Sequence, residues 1–124
     1  MTGKTLIFIF GSVVLSASAQ IVLKVGMGSD AARQAMDHAS LWRGYLGLML
    51  VPAVVGGLVA YGMSALLWLR VLSELDVSKA YPFVALGMVT TMAAGALILG
   101  ETIPPLRLLG AALVVLGVIL VGLS

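Results

Sequence analysis

Between Lys79 and Glu101 the sequence has no ionisable side chain apart from Tyr81. Wound as a helix, about 20 residues at ~1.5 Å rise reach ~30 Å, the thickness of the bilayer hydrocarbon core. Such a run either lies in the core of a globular protein or crosses a membrane, and composition separates the two. Hydrophobic residues make up 61% of the 124 and charged residues 10%, against roughly 45–50% and 25% in soluble domains. The surplus apolar surface needs lipid. The expected fold class is therefore all-α, an integral membrane bundle of four transmembrane helices in a single transmembrane domain over 1–124. The helices are expected at about 5–25, 43–71, 79–99 and 105–123, with a polar loop over 26–40.

Several functions are excluded at this level. A net charge of +2, scattered along the chain, gives nucleic acid nothing to bind. Cysteine is absent and His38 is the single histidine, so thiol chemistry, disulfides and clustered metal ligands have no residues to use. No nucleophile–base pair is apparent, so the chain is expected to be no enzyme and to need neither cofactor nor metal. Lys4, the apolar stretch 6–15 and Ala17-Ser18-Ala19 mimic a signal peptide with its cleavage site. The apolar run resumes at Ile21-Val22-Leu23, so a retained membrane helix is expected instead.

Each expected span has its own punctuation. In the first, Lys4 and Lys24 stand 20 residues apart, each within reach of an opposite interface, while Ser16, Ser18 and Gln20 bring polar groups inside the span. In the loop, Ser29-Asp30 can cap a short interfacial helix with Ala32, Ala35, Met36 and Ala39 on one face and Arg33 and Asp37 towards water. The second span is longer than a perpendicular crossing requires. Trp42 and Tyr45 suit one headgroup region and Trp68 the other, with tilt absorbing the excess. Pro52, Gly56, Gly57 and Gly62 keep this helix narrow and deformable. In the third, Pro82 predicts a distorted first turn or a restarted helix, whose free N–H groups would suit an anion, and Gly100 is a natural left-handed C-cap. In the fourth, Gly110 and Gly117 stand seven residues apart on one face, a close-packing seam for a neighbouring helix. Four short helices enclose little volume, so a partner subunit is expected.

Charge leaves the orientation open. Lys4, Arg70 and Lys79 fall on the side of the termini; Lys24, Arg33, Arg43 and Arg107 fall on the other. Near-balance suits either an antiparallel homodimer of chains inserted both ways up, or a heterodimer in which the balance is incidental.

With these motifs in view, the chain resembles the drug/metabolite transporter superfamily in its smallest, four-helix form. Two branches of it compete: the small multidrug resistance exporters, and EamA-type small proteins similar to the flippase subunits for 4-amino-4-deoxy-L-arabinose carried on undecaprenyl phosphate. Ser16-Ala17-Ser18-Ala19-Gln20 with Lys24 looks like the first helix of the flippase branch. Leu67-Trp68-Leu69, Asp76-Val77 and Ala80-Tyr81-Pro82 resemble its connection from second to third helix. Gly100-Glu101, Pro104-Pro105, Gly110 and Gly117 are similar to the closing motif of the superfamily, in which the glycine pair corresponds to the exporters' dimerisation seam.

One departure separates the branches. The exporters carry a carboxylate within the first helix, and the corresponding position here is Ser16, with no carboxylate anywhere between Lys4 and Lys24. A hydroxyl does not titrate in the working range, so it cannot exchange a proton for a cation. The flippase resemblance implies translocation of an undecaprenyl phosphate-linked monosaccharide across the bacterial inner membrane. It further implies that Lys24 and Arg70 meet phosphate, that Ser16, Ser18, Gln20 and Tyr81 hydrogen-bond the sugar, and that Glu101 pairs an amino group. Competing expectations are export of a cationic compound, a non-transporting subunit of a glycolipid-modifying complex, and simple pairing of Lys24 with Glu101.

Overall fold

The computed structural model describes residues 2–124. Its elements are helices α1 (Gly3–Met27), α2 (Asp30–Met36), α3 (Leu41–Leu48), α4 (Pro52–Glu74) and α5 (Val77–Ala80), a 3-10 turn (Tyr81–Phe83), then α6 (Val84–Ile98) and α7 (Pro105–Leu123). Among the described residues there is no strand. Four segments are long and apolar enough to cross a membrane: α1, α4, α5 through α6, and α7. Large apolar side chains such as Ile7, Phe10, Leu66, Leu97 and Leu113 stand exposed along them, as a lipid-facing surface requires.

The most extensive helix pair is α1 with α4, followed by α1 with α6; α7 packs on α6 and on the 3-10 turn. Two small cores close the bundle at its ends. On the side of the termini, Ile9, Val13, Val71, Ala80, Phe83 and Val118 pack together. On the opposite side Ala32, Leu48, Val51 and Val54 do the same, with Leu23, Met27 and Ala35 against them. Midway along the α1–α4 contact, the buried Ser12 hydroxyl donates to the Ser64 carbonyl at 3.0 Å, one of the interhelical polar links that lipid makes costly to leave unpaired.

Glycine sets how closely α1 and α4 approach. A Cβ on Gly57 would lie 2.7 Å from two Leu23 side-chain atoms and 3.2 Å from the Leu23 backbone nitrogen. The obstacle therefore includes main chain, which cannot step aside. Gly57→Val is expected to destabilise the bundle by about 1–3 kcal/mol through overpacking, read as a lower thermal midpoint in detergent.

The second expected span, 43–71, is not one helix. The chain breaks at Val51 (φ −90°, ψ 110°) and α4 starts at Pro52 in its first turn. Proline has no N–H to give and its ring obstructs the preceding turn, so it opens a helix readily and continues one poorly. The excess length assigned to tilt is instead α3, which turns aside to pack on α2: a Cβ on Gly47 would stand 3.0 Å from the Ala35 Cβ. α2 itself starts as expected, with the Ser29 hydroxyl accepting from the Ala32 N–H at 3.2 Å.

This α2–α3 hairpin buries Gly44 and Leu48 and leaves Leu41, Trp42, Tyr45 and Leu46 exposed. An aromatic, apolar face continuous with a membrane span belongs in the headgroup region. The chain has two tryptophans, so Trp68→Phe isolates Trp42. Its emission is expected to be quenched by lipids brominated near the headgroup and to be largely insensitive to aqueous iodide.

Pro82 tightens the third span without restarting it. The Tyr81 N–H bonds the Val77 carbonyl, and the Val84 N–H bonds the carbonyls of Pro82 and Tyr81. These amides are thus occupied, and the anion site expected of a restarted helix is not formed by them.

Candidate functional site: a groove between the two helix pairs

Between the α1–α4 pair and the α6–α7 pair runs a cavity of about 780 Å3. Its polar side chains come from every span: Ser16 and Gln20 from α1, Tyr61 from α4, Thr91 from α6 and Arg107 from α7, with Glu101 from the α6–α7 connection. Its apolar walls include Val84, Met88, Met92 and Val114. A smaller cavity of about 260 Å3 shares Ser16, Tyr61 and Val84 with it and extends to Ser64, Trp68 and Tyr81. The two cavities adjoin at these three residues, and this adjoining pair, the groove, has linings that reach from Glu101 and Arg107 to Tyr81, towards the side of the termini.

The helical period explains which polar residues of α1 take part. Ser16 and Gln20 are four residues apart and share a face. Ser18 lies about 200° around the helix from Ser16, is exposed, and donates to the Val14 carbonyl at 2.8 Å, so it lies outside the groove. The Ser16 hydroxyl donates to the Val13 carbonyl at 3.0 Å, which leaves its lone pairs available. Lys24 continues the Ser16–Gln20 stripe one turn further and is exposed, but does not line either cavity.

Arg70 also lies away from the groove. Its Nε is 3.1 Å from Glu74 Oε1, one helical turn on, and its guanidinium stands 6.0 Å from the centre of the Phe8 ring. The other Glu74 oxygen accepts from the nearly fully buried Thr5 hydroxyl. Thr5, Glu74, Arg70 and Phe8 thereby tie the start of α1 to the end of α4. Arg70–Glu74 is the one ion pair among the described residues, so Lys24 and Glu101 do not close on each other.

Glu101 and Arg107 line the same cavity without forming a salt bridge. The charged end of the groove therefore offers both an anion and a cation to a ligand. Of the residues expected from sequence, Ser16, Gln20, Tyr81 and Glu101 line the groove; Ser18, Lys24 and Arg70 do not. Tyr61, Thr91 and Arg107 join them without having been singled out. Arg107 carries the only charge in the last span, and Thr90-Thr91 the only hydroxyls within α6. Those two signals are visible in the sequence.

A Cβ added to Gly110 or to Gly117 would meet, beyond the surrounding turns of its own helix, no atom of the described residues within 4 Å. The expected seam is thus unfilled by the described residues, and at Gly110 it borders the cavity.

An all-α, four-span protein with a part-polar groove between helix pairs has the form of a small membrane transporter. The chain belongs to the EamA-like transporter family, whose model matches residues 6–123. It is 32% identical over 108 residues to a probable 4-amino-4-deoxy-L-arabinose-phosphoundecaprenol flippase subunit ArnE of Pseudomonas aeruginosa strain UCBPP-PA14, covering 83% of this chain and 91% of that protein. It is 35% identical over 122 residues to a probable subunit ArnF of the same kind of flippase from Erwinia tasmaniensis, covering 94% and 92%. An ArnE from Salmonella newport is 34% identical over 109 residues, covering 88% of each chain. No solved structure matches. The chain is accordingly a multi-pass protein of the bacterial inner membrane and a member of a transporter family, not of an enzyme family.

Proposed function

We propose that this chain is one subunit of a flippase that moves a polyprenyl phosphate-linked amino sugar across the inner membrane. The observation that carries this reading is the pairing of free charges in one cavity: Glu101 and Arg107 open on the same space without neutralising each other. A lipid-linked amino sugar has both complementary groups. Its phosphate meets the Arg107 guanidinium, its ammonium meets Glu101, and its hydroxyls meet Ser16, Gln20, Tyr61 and Thr91. The polyprenyl tail stays in lipid through the open side. Tyr81 and the hydroxyls near Ser64 give the head a second set of partners further along the groove. The phosphate role expected of Arg70 passes to Arg107, because Glu74 already holds Arg70. Lys24, one turn beyond Gln20, is left to attract the phosphate at the surface.

The partner is a second small subunit seated on α7, where Gly110 and Gly117 leave room for its backbone. The names of the relatives, each a flippase subunit, support an assembly of this kind. Export of simple cations is less well supported: Arg107 in the same cavity repels them, and Ser16 stands where a titrating carboxylate would be needed.

Binding tests the reading before transport does. The purified chain, alone and with its partner subunit, is titrated with undecaprenyl phosphate bearing an aminopentose and with undecaprenyl phosphate alone. A higher thermal midpoint with the amino-sugar lipid, and a smaller rise with the bare phosphate, is expected. No shift with either lipid in either assembly would overturn it.

A further inference from the structure

Gly95 is buried in the last turn of α6, on a span whose surface is otherwise largely open. The following loop contributes to this burial. Outside the surrounding turns of its own helix, the three heavy atoms nearest to a Cβ placed on Gly95 all belong to the Glu101 carboxyl group, with Oε2 at 2.9 Å, Cδ at 3.4 Å and Oε1 at 3.9 Å. The backbone is bent to bring them there. The Leu99 and Glu101 N–H groups both donate to the Gly95 carbonyl, at 3.1 and 3.2 Å. Gly100 between them takes φ 69°, the left-handed region that favours glycine. A carboxylate at the end of a span ordinarily reaches outward to water. Here the turn folds it back over a bare stretch of helix, at the edge of the cavity it lines.

We infer that Gly95 is a positioning residue for Glu101: its missing side chain is the seat on which the carboxylate rests, facing the cavity, to receive the ammonium group of an amine-bearing lipid head. The inference rests on the proposed function for the identity of the ligand, though not for the geometry. Close helix packing, the usual reason for glycine in a membrane span, does not apply where the nearest atoms are those of a side chain from the following loop.

The substitution Gly95→Ala separates positioning from structure. Alanine is the better helix former, and the atoms in its way are the free end of a flexible side chain. The thermal midpoint is therefore expected to stay level or rise. Transport of the amine-bearing lipid, assayed with the partner subunit present, is expected to fall about tenfold through KM, as with Glu101→Gln. Transport of the N-acetylated lipid, neutral at nitrogen, should change less than twofold. The double variant should be no worse than Glu101→Gln alone, because the two changes remove one interaction. A lower midpoint with equal losses for both lipids, or additive losses in the double variant, would overturn the inference.

A readout without substrate keeps it distinct from the functional reading. Glu101 in vesicles is treated with a hydrophobic carbodiimide and, separately, with a water-soluble one, and modification is followed by mass spectrometry. Gly95→Ala is expected to lower the first and raise the second several-fold. Unchanged labelling overturns the positioning role; shifted labelling with no transport of either lipid by the native chain upholds it and removes the functional reading instead.

Discussion

Glu101→Gln is expected to lower transport of an amine-bearing lipid-linked sugar by about tenfold or more while leaving the N-acetylated form little changed. The substitution keeps size and hydrogen-bonding reach and removes only the charge. A hydrogen bond to a charged group contributes about 1.5–3 kcal/mol, and each ~1.4 kcal/mol is a factor of ten. Glu101 is exposed at the end of its span, so the lower end of that range applies. Stability should be unaffected, because the carboxylate makes no ion pair among the described residues. Initial rates in proteoliposomes across a range of lipid density would locate the loss in KM. Equal losses for both lipids would remove Glu101 from amine recognition.

Val84→Trp is expected to stop translocation nearly completely without unfolding the protein. Val84 lines both cavities at their junction, together with Ser16 and Tyr61, and is 43% exposed. Its side chain already projects into open space, so the added ring occupies the groove rather than a packed core. A packed site would answer the same change with overpacking and a lower thermal midpoint. Here the midpoint should hold while passage is blocked between the Glu101–Arg107 end and Tyr81. Head-group binding at the charged end should survive, because the obstruction lies beyond it. Loss of binding together with transport would mean that the two cavities are not successive parts of one path.

The four-span all-α architecture is legible because lipid requires long uncharged runs, and 80–99 is such a run on inspection. The break at Val51 is legible in principle. Pro52 marks it, but the aromatic residues on either side invite a reading of one tilted helix. The site is legible only where local geometry governs it. Ser16 and Gln20 sit four apart and face together, and the same period sends Ser18 elsewhere. Arg70 and Glu74, also four apart, could be paired from their spacing, which removes Arg70 from the groove. The joining of Thr5 to Glu74 spans 69 positions and leaves no such trace. Glu101 and Arg107 meet in one cavity because a left-handed Gly100 and two prolines turn the chain between α6 and α7. Nothing in the periodicity of either helix contains that turn.

Carriage of an amino sugar on a polyprenyl phosphate through the membrane, by this chain with its partner, is the proposed activity. An amine reagent that cannot cross the bilayer tests it most directly. Proteoliposomes are prepared with the amino-sugar lipid, the outward-facing lipid is labelled to completion, and labelling of the protected fraction is followed in time. The protected fraction is expected to become labelled at a rate proportional to the amount of the two-subunit assembly, and slowly with the Glu101→Gln chain. A protected fraction that stays unlabelled, at the level of protein-free vesicles, would contradict it.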